Sequence, residues 1–212
     1  YQSPGAYSRD RTGIFYVTTP DSEGSSEDSN GLLRYHCYYG LPTTALHEGY
    51  PGHHLQILTA QDQQRDVRRI ISSPVAVEGW ALYCEVMMGE EGFYRSLEEK
   101  LFQKVHLLWR AVRVILDVGL HTRGMTFEEA VDLLVDKAYL ERPNAEAEVR
   151  RYCAYPAYQI CYAVGRREFR SLREAFRRAS GSDYSLSAFH SAVLEYGGLP
   201  VSLSRWGMEL DQ

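Results

Sequence analysis

Three histidines and a carboxylate fall within eight residues, His47-Glu48-Gly49-Tyr50-Pro51-Gly52-His53-His54. Imidazole is the commonest protein ligand for zinc, and a glutamate that follows a ligand histidine can act as a base toward metal-bound water. In H-E-x-x-H sequences two histidines one helical turn apart face a single ion. Here the fifth position is Pro51, and the next histidines lie six and seven residues beyond His47. A seven-residue step along an unbroken helix rises about 10.5 Å. Imidazoles that far apart cannot both stand at about 2.0–2.1 Å from one zinc. The backbone must bend between them at Pro51 and Gly52, because proline lacks an N–H and clashes with the preceding turn. Either His53 or His54 then supplies the second imidazole. A histidine-rich turn holding no metal is the competing reading.

A second motif favours the metal. Val75-Ala76-Val77-Glu78-Gly79-Trp80-Ala81-Leu82-Tyr83-Cys84-Glu85-Val86-Met87-Met88 is apolar on nearly every side and so reads as a buried helix, yet it carries two glutamates. Buried glutamate is rare unless paired or metal-bound. Glu78 is the expected third ligand. Two histidines and a glutamate leave a fourth position for water, as in a catalytic zinc site, with Glu48 as general base. A carboxylate placed near a helix N-terminus is the plainer reading of Glu78. Glu85, seven residues on and on the same helix face, is expected to hydrogen-bond a ligand histidine, with His54 as another residue around the site.

These residues need a helical frame, and most of the chain reads as helix. Pro42-Thr43-Thr44 should open the helix carrying His47, with Thr43 or Thr44 as cap, and a helix resuming at His54 should run to about Arg69. Ser72-Ser73-Pro74 opens the next. Ser96 to Gly119 forms a long helix, and His121 to Thr126 a turn. Thr126 and Glu129 make a capping box for a helix to about Leu140. Further helices are expected from Pro143, over Gly165–Ala179, and from Ser185 or Ser187 to about Tyr196, ended by Gly197-Gly198-Leu199-Pro200. The remaining signals lie in residues 1–40. Gly13 to Thr19 reads as a strand, Asp21 to Gly31 as a mobile loop, and Leu32 to Tyr39 as a short strand or irregular lead-in. The fold class is mainly α, with a little β near the start.

Composition narrows the function. The 212 residues suffice for one domain with a real core, or for two small lobes. The net charge of −5 carries no nucleic-acid footprint, and the arginines between Arg166 and Arg178 alternate with apolar residues as on a solvated helix face. Cys37, Cys84, Cys153 and Cys161 show no C-x-x-C pair and read as free thiols, mostly buried. No apolar run is long enough to span a bilayer, and no signal-peptide pattern stands at the start. The chain begins with Tyr1 and is expected to be a fragment or a processed product. Arg151 could hold a substrate carboxylate or pair with Glu148 or Glu146. His121 could donate to an oxyanion or cap its helix, while His106 and His190 are expected to pack as satisfied histidines.

The ordered series HEGYPGHHLQ, VEGWALYCE, RAVRVILDVGLH, EVRRYCAYPAYQICYAVG and FHSAVLEYGGLP, from about Gly13 to Pro200, resembles the bacterial domain of unknown function 885 family. That family is similar to the gluzincin metallopeptidases, among them carboxypeptidase Taq and relatives of angiotensin-converting enzyme, which are mainly helical and carry H-E-x-G-H with a downstream glutamate. The resemblance implies a multi-helical, zincin-like fold with His47, His53 and Glu78 as zinc ligands. It also implies an oxyanion-stabilising tyrosine at Tyr158 or Tyr162, with Tyr162 the better aligned. Members are much longer, so the chain resembles a catalytic C-terminal half. An N-terminal half of the same protein, or a homo-oligomer, would then complete the cleft. The implied protein is a soluble one of the bacterial cytoplasm or periplasm. The expected activity is zinc-dependent hydrolysis of a peptide substrate, carboxypeptidase- or dipeptidase-like. Two alternatives stand beside it, a non-catalytic helical domain with a structural or vestigial metal site and a metal-dependent hydrolase of non-peptide amides.

Overall fold

The structure is a computed structural model and describes residues 1–17, 30, 31, 33, 34 and 36–210. It is mainly helical, as the periodicity predicts. Helices α1 (Leu41–Glu48), α2 (His53–Gln61), α3 (Asp66–Ile70) and α4 (Pro74–Glu90) are followed by α5 (Leu97–Thr122), α6 (Phe127–Ala138) and α7 (Arg142–Ala154). Then come α8 (Ile160–Ser180), α9 (Leu186–Leu194) and α10 (Val201–Gly207). The described residues separate into two compact units. One comprises Tyr1–Phe15, Leu46–Met87 and Cys161–Gln212, the other Tyr16–Ala45 and Met88–Ile160.

Local chemistry explains most boundaries. The Ser96 hydroxyl accepts from Glu99 N at the start of α5, Thr126 and Glu129 form the expected capping box of α6, and the Ser185 hydroxyl accepts from Ala188 N at the start of α9. Gly197, at φ +59°, follows α9 in the left-handed region that glycine enters without steric cost.

Several expectations are corrected. Thr43 and Thr44 do not cap α1, because the helix begins earlier at Leu41; both lie inside it, Thr43 fully buried. The helix expected to run unbroken to Arg69 divides into α2 and α3, with Asp62 as the C-cap residue of α2. The turn expected from His121 is helical through Thr122, and α10 was not foreseen. In place of the strand at Gly13–Thr19 the described part holds one antiparallel bridge, Gln2 with Ile14. β-Propensity needs a partner strand to express itself, and among the described residues none runs beside Phe15 to Val17. Thr18 and Thr19, and the loop expected over residues 21–29, lie outside the described residues. Asn30, Gly31, Leu33 and Arg34 are helical, where a lead-in strand was one expectation for the segment from Leu32.

In the unit holding Leu46–Met87, α4 is the central element. Ala76, Trp80, Ala81, Leu82 and Cys84 are essentially without exposed surface. It approaches α8 closely: a Cβ on Gly79 would stand 2.4 Å from Gly165 Cα, and one on Gly165 would stand 2.0 Å from Val75 O. Only two glycines permit that crossing. In the other unit, the core joins Trp109, Val112 and Leu116 of α5 to Val131 and Leu134 of α6 and to Val149 of α7. All four cysteines are free, but only Cys84 and Cys161 are buried. Arg167, Arg170, Arg177 and Arg178 of α8 are exposed, as a solvated face requires.

Candidate metal centre

The bend between the histidines is built from backbone contacts. Helix α1 ends at Glu48, Gly52 N donates to Leu46 O at 3.1 Å, and α2 starts at His53. A Cβ on Gly52 would stand 1.9 Å from His47 O, so no other residue fits this approach. Helix α4 holds the turn from below: Trp80 Nε1 donates to Pro51 O at 2.9 Å and Cys84 Sγ reaches the same oxygen at 3.5 Å. Sequence reasoning missed Trp80 and Cys84 as anchors. The available signal was the indole N–H, which needs a partner when a tryptophan is buried in an otherwise apolar helix.

This turn brings His47, His53 and Glu78 together. All three are buried, and one ligand atom from each lies within 4.8 Å of the other two. Glu78 Oε2 is 3.7 Å from His47 Nε2 and 3.4 Å from His53 Nε2. The two imidazoles meet edge to face at 4.7 Å between centroids. Donor atoms placed tetrahedrally at about 2.0–2.1 Å from a zinc ion stand about 3.3 Å from one another. The two carboxylate–imidazole separations are close to that value and longer than an ordinary hydrogen bond, so this donor set fits a divalent ion. Among the described residues no fourth histidine, cysteine or acidic side chain joins the group.

The surroundings have the matching polarity. Glu85, without exposed surface, places Oε1 2.7 Å from His47 Nδ1. A carboxylate there accepts the Nδ1 proton and leaves the Nε2 lone pair directed toward Glu78. Burial pushes the Glu78 carboxyl upward, but the adjacent His47 and His53 imidazoles outweigh it and hold the group well below the usual carboxylate range. Tyr162 is buried in the first turn of α8, its ring stacked on His47 at 6.3 Å and 20°. Glu48 is the half-buried last residue of α1. His54 is not part of the triad; its Nδ1 bonds Tyr1 Oη at 2.6 Å.

The other candidates lie in the second unit. Arg151 Nη2 donates to Glu148 at 2.6 Å, and Glu148 also accepts from the buried Arg113 at 3.2 Å. Burial raises the Glu148 carboxyl, but both guanidinium charges outweigh it and the net shift is downward. The pairing expected as an alternative for Arg151 is thus the one observed, while Glu146 pairs with Arg150. His121 Nε2 lies 3.2 Å from Tyr152 O and 4.0 Å from Asp117. Asp117 accepts from Ala157 N and Gln159 N, each at 2.8 Å, and so fixes the segment that carries the half-buried Tyr158. His106 packs edge to face with Trp109, and His190 Nε2 bonds the Tyr83 hydroxyl at 2.9 Å.

Comparison with known proteins places the chain without assigning it an activity. No curated protein matches. A solved structure from Shewanella oneidensis, described as a candidate lipoprotein of unknown function, is 32% identical with a TM-score of 0.83, over 99% of this chain and 40% of that one. A second, described as a candidate lipoprotein from Colwellia psychrerythraea, is 36% identical with a TM-score of 0.77, over 82% of this chain and 31% of that one. The chain thus spans less than half the length of either structure. Residues 1–206 match the family described as bacterial protein of unknown function, DUF885. Over nearly its whole length, therefore, the chain belongs to the bacterial DUF885 family.

Proposed function

We propose that this chain carries the metal centre of a zinc-dependent peptide hydrolase, carboxypeptidase- or dipeptidase-like. The observation that carries the reading is the buried group His47, His53 and Glu78, with donor separations suited to tetrahedral coordination and a carboxylate on the far nitrogen of His47. Zinc held by these three side chains would act as a Lewis acid and lower the pKa of a coordinated water. Glu48, adjacent to His47 in sequence, accepts a proton in the attack step and returns it to the leaving amine. Glu85 keeps His47 in the tautomer that presents Nε2. Tyr162, stacked on His47, is the candidate to donate a hydrogen bond to the developing oxyanion.

The test is hydrolysis of a mixed peptide pool by the zinc-loaded protein, before and after chelation. The Glu48→Gln variant should lose about 10²- to 10⁴-fold in kcat while retaining its zinc, the range a general base contributes. Activity that survives both chelation and Glu48→Gln would overturn the mechanism. Substrates with blocked carboxyl termini separate carboxypeptidase action from hydrolysis of other amides.

A further inference from the structure

Beside the metal centre stands a second cluster that the reading above leaves unused. Tyr1 and His54, 53 positions apart in the chain, meet through a 2.6 Å bond between the phenol oxygen and Nδ1. The pair is closely fitted. A Cβ on Gly13 would stand 2.6 Å from the Tyr1 ring and 2.8 Å from His54 Nδ1, so the backbone of residue 13 lies against the bond itself. The Gln2–Ile14 bridge, with N–H···O bonds of 2.8 and 2.9 Å in both directions, holds the two segments together. Tyr50 adds a ring edge-on to His54 at 5.3 Å and is 61% exposed.

Tyr50 and His54 belong to the same turn that carries Glu48 and His53. Burial, and then the negative charge of Glu48, raise the Tyr1 phenol, so the hydroxyl lies within electrostatic range of the proposed base. When the Tyr1 hydroxyl donates to Nδ1, Nε2 is the ring nitrogen left to carry the N–H and becomes a donor. Among the described residues no other hydrogen bond is made by this ring. Two tyrosine rings, each roughly perpendicular to the His54 ring, put apolar surface beside one imidazole nitrogen, the mix of apolar lining and few polar contacts that peptide sites use.

We infer that Tyr1, Tyr50 and His54 form a substrate subsite on the Glu48 side of the metal centre, which takes an aromatic or large apolar residue of the peptide between the tyrosine rings while His54 Nε2 donates to a main-chain carbonyl. The Tyr1 hydroxyl acts through His54, which touches the substrate, while the Tyr1 ring serves as one wall of the subsite. The inference rests on the peptide-hydrolase reading, and the experiment separates the two.

Zinc-loaded Glu48→Gln protein, in which turnover is suppressed, is titrated with a dansylated Gly-Phe-Leu peptide, alone and with Tyr1→Phe or His54→Gln added. Zinc affinity and Tm are recorded for each variant. Each addition should weaken peptide binding about three- to tenfold, the range for one hydrogen bond, with zinc affinity unchanged. The Tyr1→Phe/His54→Gln pair should be no weaker than His54→Gln alone, because the phenol acts only through the ring. Replacing Phe by Ala in the peptide should cost binding in the parent and less in a Tyr50→Ala variant. Equal peptide affinity in all variants, a fall in Tm alone, or no peptide binding by the parent would each overturn the subsite. Peptide cleavage by the unsubstituted zinc-loaded protein reports separately on the hydrolase reading, which survives the first two outcomes.

Discussion

The carboxylate of Glu85 has no contact with solvent, and its Oε1 sits 2.7 Å from His47 Nδ1. That contact does two things: it selects the tautomer of His47, and it makes the imidazole a better electron donor toward an ion. Glu85→Gln keeps the shape but removes the charge. Zinc affinity, read by competition with a chromophoric chelator, should fall about 10- to 100-fold; an unchanged affinity would leave Glu85 with packing alone. A second prediction concerns His190, which bonds Tyr83 and lies edge-on to Trp80. Burial, and then the nearby positive charge of Arg173, lower its pKa from 6.5 to about 4. The unfolded chain therefore binds this proton more readily than the folded one. The stability contributed by neutral His190 is complete above about pH 6.5 and is lost as the pH falls toward 4. Denaturant midpoints should decline across that window, and the decline should flatten in His190→Asn.

At the scale of elements, the crossing of α4 and α8 decides the site. Glu78 precedes Gly79, and Tyr162 lies just under one helical turn before Gly165, so the two glycines that let the helices touch also set the positions of a candidate ligand and a candidate oxyanion donor. The atoms a new Cβ would meet are backbone atoms, at 2.0 Å from Val75 O and 2.6 Å from Gly79 Cα, and cannot rotate away. Gly165→Ala should destabilise by about 1–3 kcal/mol, as overpacking typically does. A Tm lower by several degrees follows for a chain of this size, with weakened zinc binding. Gly89→Ala, where a Cβ would meet only the Tyr94 ring at 3.4 Å, serves as the control and should be neutral or slightly stabilising. Equal Tm values for the two variants would show that the crossing does not depend on glycine at 165. Element boundaries were legible where the signal was local. Ser96, Thr126 and Ser185 cap as their types suggest, because a cap needs only the next turn of chain. Thr43 and Thr44 carry the same signal and do not cap, because α1 begins earlier, at Leu41.

For the whole molecule, zinc is expected to couple to folding, since the three candidate ligands come from α1, α2 and α4, with Glu78 more than 20 residues beyond His53 in sequence. At a free zinc concentration about 100-fold above Kd the native state should gain about 2.7 kcal/mol. Calorimetry should therefore show Tm rising with zinc and returning to its starting value with chelator; a Tm indifferent to zinc would argue against a site formed only in the folded chain. Among the described residues no helix is long and apolar enough to cross a membrane.

The helical character of the chain, the candidate status of His47, Glu48, Glu78 and Glu85, and the need for a bend at Pro51 and Gly52 were all readable from residue types and their spacing, because periodicity, burial cost and backbone chemistry act over a few residues. The choice of His53 over His54 was not, since adjacent side chains on α2 point about 100° apart and only the approach of α4 picks one of them. Nor were the Trp80 and Cys84 anchors on Pro51, the bond from Tyr1 to His54, or the loss of the expected strand. Each is a contact between segments distant in the chain, and such distances are set when helices pack, here through a glycine-to-glycine crossing that no local pattern announces.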